Sequence, residues 1–182
     1  IDEILEVKRN TYVTIRFIKD YDPESFIASI KVDEGLYIGI WYHFKFVIPD
    51  DWPTHNPTVH ILNDIWHPNI ELARDAINRE GKVNIPALYT ESTHSTITEI
   101  VKSIKNLIIN PDPDNALNIT AAEEFKNNYD VFKENASRYR EELFEKQIDK
   151  NLTKEIQDVG AMKNIKVKII DEKDPTIFIV SI

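Results

Sequence analysis

The sequence contains no cysteine, and this absence restricts its chemistry more than any other property. Without thiols the chain forms no disulfide and no thiolate metal site, and no protein thiolate acts as a nucleophile. A thioester on the chain itself is therefore excluded. Glycine is also scarce, with four residues, and no glycine-rich phosphate loop, serine nucleophile elbow or dinucleotide-binding fingerprint occurs.

Long apolar runs and an excess of positive charge are missing as well. No stretch approaches the ~18 apolar residues that a membrane span needs, and residues 1–9 have no basic, apolar signal pattern. The net charge of −9 disfavours nucleic acid, because phosphate binding depends on Lys and Arg. We therefore expect an intracellular protein of the cytoplasm or nucleus, without membrane insertion or a nucleic acid partner. A chain that begins at Ile1 leaves room for an upstream targeting segment.

Apolar residues recur at every second position from Thr11 to Leu62, which is the period of a β-strand. The pattern predicts four strands joined by short, turn-rich links, and such links favour an antiparallel meander. The alternating apolar sets are Val13, Ile15 and Phe17; Phe26, Ala28, Ile30 and Val32; Ile40, Tyr42, Phe44, Phe46 and Ile48; and Val59 and Ile61.

Helical periodicity follows a loop-rich middle segment. Thr96 to Glu99 form a capping box before an apolar stripe that Asn110-Pro111 ends. A second capping box, Thr120 to Glu123, opens a predicted helix whose apolar residues recur every three or four positions as far as Leu143. Strands followed by helices indicate an α+β fold.

Residues 150–182 are predicted to form an extension to a domain at residues 1–149. Two apolar runs, Ile165–Ile170 and Ile177–Ile182, bracket a charged turn with Pro175, which predicts a β-hairpin. A lone hairpin is marginal in water, so it packs on the main body or adds as an edge strand to another protein.

Six motifs occur in one order and together resemble the ubiquitin-conjugating enzyme (E2) family from about Val13 to Leu143. The first motif is nearest to the E2s for the modifier NEDD8. The resemblance implies the α+β UBC fold, which we expect as a four-stranded antiparallel meander with packed helices, a C-terminal helix and the hairpin extension. The motifs are Asp33-Glu34-Gly35-Leu36-Tyr37; Phe44-Lys45-Phe46; Ile48 to Pro53 with Pro57; Trp66-His67-Pro68-Asn69-Ile70; Gly81-Lys82-Val83; and Asn110 to Asn118 with Ala121 and Ala122.

The resemblance also locates the family's catalytic residues. His67, Pro68 and Asn69 match the tripeptide whose Asn stabilises the oxyanion during lysine attack on the thioester, a role that needs an amide donor. The catalytic cysteine follows Gly-x-Val in the family, and Asn84 occupies that place. A neutral amide has no nucleophilic form near neutral pH. The resemblance therefore implies a vestigial site and a catalytically inactive protein, not an enzyme.

Three further departures favour natural loss of catalysis. Residues 71–82 are longer than the family's turn, so Asn69 need not point at position 84. The family's Trp-x-Pro segment is replaced by residues 92–95, and Pro86 and Ala87 also differ from the family's pattern. The alternative is an active ubiquitin- or NEDD8-conjugating enzyme whose cysteine at position 84 has been replaced.

An inactive member of this family would act by non-covalent binding. The expected partners are a ubiquitin-like modifier, an active E2 or the subunits of a larger assembly. Trp52 is the candidate anchor, because a loop aromatic buries much area at small entropic cost, although Trp52 and Trp66 are equally compatible with filling the core. The partner-facing loops of the family match Pro49, Asp50, Asp51, Trp52 and Pro53, and Thr93, His94 and Ser95.

No metal or cofactor is expected. The five histidines lack metal-ligand spacing and no cysteine can join them. Asp50-Asp51 and the pair Asp112 and Asp114 lie in proline-containing turns, where aspartate commonly binds its own backbone, so we interpret them as turn residues and not as acid–base pairs.

Overall fold

The structure, a computed structural model, describes residues 2–7, 11–18, 24–86, 96–160, 166–169 and 178–181. Contacts within the chain divide it into two compact units, residues 1–141 and residues 142–182. The boundary that the sequence places between residues 149 and 150 falls inside a helix.

The first unit contains a five-stranded antiparallel sheet in sequential order. The first four strands confirm the predicted meander. The fifth strand was not predicted, because two residues are too few to show a period. The strands are β1 Val13–Phe17, β2 Ser25–Lys31, β3 Trp41–Val47, β4 Thr58–Ile61 and β5 Gly81–Lys82.

The register of the sheet separates an apolar face from a polar face. Phe26 pairs with Phe46 across β2 and β3, and their rings stack with centroids 4.9 Å apart in the core. On the opposite face Arg16, Lys45 and Lys82 lie on three different strands. The alternation predicted from the sequence thus directs the large aromatics inward, where their burial stabilises the fold.

Four helices are described: α1 Asp2–Val7, α2 Ile97–Ile109, α3 Ile119–Asn127 and α4 Tyr129–Gly160. The predicted capping box of α2 is confirmed. Thr96 Oγ1 accepts from the Glu99 N–H (3.2 Å), and the Glu99 carboxylate accepts from the Thr96 N–H (2.8 Å). The buried residues of α2 are Ile97, Ile100, Val101, Ile104, Leu107 and Ile108.

The predicted second capping box is wrong. Thr120 lies inside α3, whose N-cap is Asn118, and the Asn118 side chain accepts from the Ala121 N–H (3.1 Å). Asparagine is an effective N-cap residue, and it precedes the Thr-x-x-Glu pattern here. The predicted single helix is also two helices, because Asn128 separates α3 from α4.

Residues 142–182 contain the later part of α4 and a two-stranded antiparallel sheet. Strand β6, Lys166–Ile169, pairs with β7, Phe178–Ser181, and Lys166 lies opposite Ser181. That this hairpin adds as an edge strand to another protein stays a prediction.

Gly81 is the first residue of β5 and lies against the backbone of Glu71. A Cβ at this position would collide with the backbone carbonyl of Glu71. Only glycine permits so close an approach of two backbones. The approach pairs the ends of the segment: the Glu71 N–H donates to the Lys82 carbonyl (3.0 Å), and the Lys82 N–H donates to the Glu71 carboxylate (3.1 Å).

Candidate functional site

His67 is fully buried, and its ring connects two parts of the fold through hydrogen bonds. Its Nδ1 accepts from the backbone N–H of Asn69 (3.1 Å), so the ring proton lies on Nε2, which donates to the Leu107 carbonyl on α2 (3.0 Å). Burial lowers the pKa of His67 to about 4, because the charged imidazolium loses its hydration. Near pH 7 the ring is therefore neutral, and its single N–H proton is engaged with the Leu107 carbonyl of α2.

Asn69 is also fully buried, and every polar group of its side chain is engaged. Its Nδ2 donates to the carbonyls of Asp112 (2.7 Å) and Asn115 (3.0 Å), and its Oδ1 accepts from the Asp112 N–H (2.9 Å). The side chain therefore fastens the segment that follows α2. No amide hydrogen of Asn69 is left to donate to a ligand without breaking one of these bonds.

Pro68 completes this attachment through its backbone. Its carbonyl oxygen accepts from the N–H groups of Leu117 (2.8 Å) and Asn118 (2.9 Å). Asn118 is the N-cap of α3, so the contact also sets where that helix begins. His67, Pro68 and Asn69 together, which we name the tripeptide clamp, join α2, the 110–118 segment and α3.

Asn84 lies beside the clamp, although we expected from the sequence that the 71–82 segment need not bring it there. Its backbone N–H donates to the Asn69 carbonyl (2.9 Å), and its half-buried side chain donates from Nδ2 to the Asn115 carbonyl (2.8 Å). Asn69 and Asn84 thus donate to the same oxygen. The residues between Glu71 and Lys82 do not separate Asn69 from Asn84, because the two ends of this segment pair with each other and the residues between them form a loop.

Asp112 and Asn115 belong to the site, although the sequence analysis gave neither residue a role in it. The Asn115 amide donates to the Asp112 carboxylate (2.8 Å), and this hydrogen bond lowers the pKa of Asp112. The Asp112 carboxylate also accepts from the Asp114 N–H (3.1 Å), as the turn interpretation of Asp112 and Asp114 expects. The only sequence signal for the site role was the membership of both residues in the Asn110 to Asn118 motif.

A cavity of about 380 Å³ lies on one side of this site, against α2. Its wall combines apolar atoms with amide, hydroxyl, ammonium and carboxylate groups. None of these groups is a thiol, so the site offers acceptors and donors but no sulfur nucleophile. The lining residues are Ile85, Pro86, Lys102, Ser103, Asn106, Leu107, Asn110 and Asp112.

The loop between Glu71 and Lys82 exposes an apolar residue. Ile77 is 87% exposed, and the next two residues, Asn78 and Arg79, have positive φ angles of 61° and 58°. Non-glycine residues adopt this left-handed conformation at a cost in free energy. The loop is closed by an ion pair between Glu80 and Lys45 (2.8 Å).

Of the predicted partner loops, the structure describes residues 49–53. The loop turns through hydrogen bonds from the Trp52 N–H to the Pro49 carbonyl (3.0 Å) and from the Thr54 N–H to the Asp51 carbonyl (2.8 Å). Trp52 is half-buried, and Asp50, Asp51 and Pro53 are exposed. Thr93, His94 and Ser95 lie outside the described residues.

Trp66 has a packing role that differs from that of Trp52. Its ring stacks on Tyr139 of α4, with centroids 5.6 Å apart, and its Nε1 donates to the Glu124 carboxylate of α3 (2.8 Å). Both interactions are internal to the fold. Trp66 therefore acts as an anchor for α3 and α4.

Two kinds of feature are absent from the described part of the chain. No group of three or more His, Cys, Asp or Glu side chains is arranged to hold a metal ion there. Among the same residues, no helix combines the length and apolarity that crossing a membrane requires.

Comparison with known proteins assigns the chain to a family. A family model described as "Ubiquitin-conjugating enzyme" matches residues 3–140. The chain belongs to the ubiquitin-conjugating enzyme family. It is similar to the ubiquitin-conjugating enzyme E2 21 of Caenorhabditis elegans, with 27% identity over 130 residues that cover 70% of this chain and 53% of the relative. The chain thus spans about half the length of that relative.

Two more family members show the range of the similarity. The NEDD8-conjugating enzyme Ubc12 of Dictyostelium discoideum is 29% identical over 134 residues, covering 73% of this chain and 55% of the relative. The crystal structure of a proposed ubiquitin-conjugating enzyme from Plasmodium yoelii superposes with a TM-score of 0.66 at 25% identity, covering 78% of this chain and 90% of that chain. These similarities support the UBC fold and do not single out one modifier.

Removal of the Asn69 side chain tests the clamp of this family member. We expect Asn69→Ala to lower the free energy of unfolding by about 3 kcal/mol, because the fully buried Asn69 side chain makes three hydrogen bonds to the backbone of Asp112 and Asn115. Urea denaturation measures the change. The matched control is Asn84→Ala, which removes one half-buried amide from the same Asn115 carbonyl and should cost about 1 kcal/mol or less. Equal losses in the two variants would contradict the clamp.

The buried ring of His67 predicts a specific pH dependence of stability. Its pKa is about 4 in the folded protein against 6.5 for an ordinary histidine, so the unfolded chain binds more protons between these values. The contribution of the neutral ring to the free energy of unfolding is fully present above pH 6.5. It decreases as pH falls toward 4, by about 3 kcal/mol in total. Urea denaturation across this range should show a shallower slope for His67→Gln, which does not titrate. An unchanged slope would contradict the assignment.

Proposed function

We propose that this member of the ubiquitin-conjugating enzyme family is catalytically inactive and acts by non-covalent protein binding. One observation carries the proposal: the position that follows Gly81-Lys82-Val83 is Asn84, and the chain has no cysteine elsewhere. Transfer of a ubiquitin-like protein by the family requires a thiolate, which an amide does not replace.

The engagement of the site residues supports this proposal. The Asn84 amide donates to the Asn115 carbonyl, and the Asn69 amide is fully occupied by Asp112 and Asn115. A group that stabilises an oxyanion must direct a donor at the developing charge. In this chain the corresponding donors are directed at backbone carbonyls. The site thus has the hydrogen bonds of a structural junction.

The loop at residues 49–53 supports a binding role. Trp52 is half-buried, so part of the residue remains accessible to a partner. A partly exposed aromatic residue on a loop can act as a binding anchor. The proposed partners are a ubiquitin-like modifier, an active E2 or the subunits of a larger assembly. The NEDD8-conjugating relative makes NEDD8 a modifier to test beside ubiquitin.

A second function is favoured by the position of Asn84. Its backbone donates to the Asn69 carbonyl, so position 84 is still adjacent to the His-Pro-Asn tripeptide. This adjacency is what an active enzyme with a replaced cysteine would also show. The two functions differ in what a cysteine at position 84 would do.

Charging reactions distinguish these functions. We expect no thiol-sensitive adduct when the chain is incubated with ATP, ubiquitin or NEDD8 and the matching activating enzyme, because the protein offers no thiolate. Asn84→Cys should also remain uncharged if natural loss extends beyond the cysteine. Efficient charging of Asn84→Cys, at the rate of an active E2 assayed in parallel, would favour the enzyme with a replaced cysteine.

Titration with isotope-labelled modifiers tests the binding role. We expect chemical-shift changes in ubiquitin or NEDD8 with a dissociation constant of about 1 mM or tighter, and about tenfold weaker binding by Trp52→Ala because an anchor is lost. Ile119→Ala is the control, since Ile119 is 61% exposed on α3 outside the loop. Equal effects of the two variants would contradict the anchor. Absence of binding together with stoichiometric co-purification in a complex would favour the structural subunit.

A further inference from the structure

A pocket of about 440 Å³ lies at the C-terminal end of α2. It is lined by the 3-10 turn Gly35–Tyr37, the last residue of α2 and the segment after it, one residue of α3 and the first residue of α4. This volume is within the range of small-ligand sites. The apolar part of its wall consists of Leu36, Tyr37, Ile109, Pro111, Phe125 and Tyr129.

The aromatic rings are the first distinctive feature of this pocket. The rings of Phe125 and Tyr129 lie nearly perpendicular to each other (83°), with centroids 5.5 Å apart. Tyr129 is 50% exposed, whereas Tyr37 is buried and its hydroxyl donates to the Trp66 carbonyl (2.6 Å). The negative face of an aromatic ring attracts a cation that lies within about 6 Å of its centroid. A wall with several rings therefore favours a positively charged occupant.

Negative charge next to the pocket is the second feature. Glu34 precedes the lining residue Gly35, Asp130 follows the lining residue Tyr129, and both acidic side chains are exposed. Glu34 does not cap the turn that follows it. Within the described part of the chain, neither carboxylate has an ion-pair or hydrogen-bond partner. Both charges are therefore available to attract a cation.

The nearby lysines do not oppose this attraction. Lys105 of α2 is bonded to Asp33 (2.8 Å), and Lys126 of α3 is bonded to Asp114 (2.6 Å). Each of these lysines thus has its own acidic partner. One turn further along α4, positions 133 and 134 carry opposite charges, and the whole chain has a net charge of −9. The surroundings of the pocket are consequently negative.

The scarcity of hydrogen-bonding side chains decides which cation fits. Among the described lining residues no side chain is a carboxylate, and the amide of Asn110 donates to Asn106 Oδ1 (2.9 Å). A primary ammonium group has three N–H donors, and burying them without acceptors costs free energy. A trimethylammonium group has no N–H donor, so an apolar, aromatic wall receives it without that cost.

We propose that this pocket binds a trimethylammonium group, which contacts the rings of Phe125 and Tyr129 and is attracted by Glu34 and Asp130. Aromatic pockets are a recurrent means of recognising quaternary ammonium ligands. The group is carried either by a free small molecule or by the trimethylated lysine side chain of a protein. This binding does not depend on whether the chain is catalytically inactive.

Choline and 3,3-dimethyl-1-butanol are the first probes, because they share one shape and differ in charge. NMR titration of the full chain with choline should shift the backbone amides of Leu36 and Tyr129, with a dissociation constant of about 1 mM. The neutral alcohol should bind at least about tenfold more weakly. Absence of shifts up to about 10 mM choline, or equal binding of the alcohol, would overturn the proposal.

Ethanolamine tests the need for methyl groups. It carries the same charge as choline on a primary ammonium group, so it should also bind at least about tenfold more weakly. Equal binding of ethanolamine and choline would overturn the proposal, since it would show attraction to charge without recognition of the methyl groups.

Matched variants test the aromatic wall. Tyr129→Leu keeps an apolar side chain but removes the ring, and it should weaken choline binding about tenfold. Phe144→Leu removes a ring that is 47% exposed on the same helix outside the pocket, and it should change binding less than about twofold. Tyr129→Phe retains the ring and should bind as the parent does. Equal weakening by the two leucine variants, or loss of binding by Tyr129→Phe, would overturn the assignment.

The acidic residue beside the pocket has its own control. Glu34→Gln should weaken choline binding about threefold, because one exposed charge contributes a modest attraction. Asp75→Asn removes the same charge from the 71–82 loop and should leave binding unchanged. Equal weakening by the two variants would overturn the role of Glu34, since it would show an effect of net charge alone.

N-acetyl trimethyllysine amide distinguishes the two sources of the group. Binding as tight as that of choline supports a site that admits a trimethylated lysine with chain on both sides. Binding of choline alone supports a site for a free small molecule.

Discussion

The buried amide of Asn69 is the interaction on which the rest of the site depends. Its three hydrogen bonds hold both Asp112 and Asn115, and the backbone of the same residue accepts from the Asn84 N–H. The Asn69 side chain is fully removed from solvent, so its own polar atoms depend on these three hydrogen bonds. The position of residue 84 relative to the end of α2 therefore follows from one amide whose donors and acceptor are all in use.

This arrangement separates the stability of the fold from its chemistry. His67 bonds the Leu107 carbonyl, Pro68 accepts from the start of α3 and Asn69 holds the 110–118 segment. None of these contacts requires a cysteine at position 84. A chain with no sulfur nucleophile thus retains the tripeptide for the same physical reason that any buried, satisfied polar network is costly to remove. In this chain the His-Pro-Asn tripeptide therefore has a packing role that does not depend on catalysis.

The sequence predicted the elements with regular periods and missed the features that depend on distant residues. The alternation from Val13 to Ile61 and the Thr96 capping box were sufficient for β1 to β4 and α2, because both signals are local. Strand β5 has two residues and exists through its pairing with β4, so no local pattern marks it. The start of α3 was misplaced because Asn118 and Thr120 are both capping residues, and the contacts of Pro68 with residues 117 and 118 favour the earlier one.

The contacts of the site also depend on residues that are distant in the sequence. Sequence reasoning identified Asn69 and Asn84 as the informative residues, and a longer 71–82 segment suggested that they need not meet. Glu71 pairs with Lys82, which the close approach at Gly81 allows, so the length of the segment does not keep Asn69 and Asn84 apart. Segment length alone is a poor measure of separation when the segment's ends are bonded to each other. The residues between these ends form a loop that exposes Ile77 to solvent, while Asn84 remains bonded to Asn69.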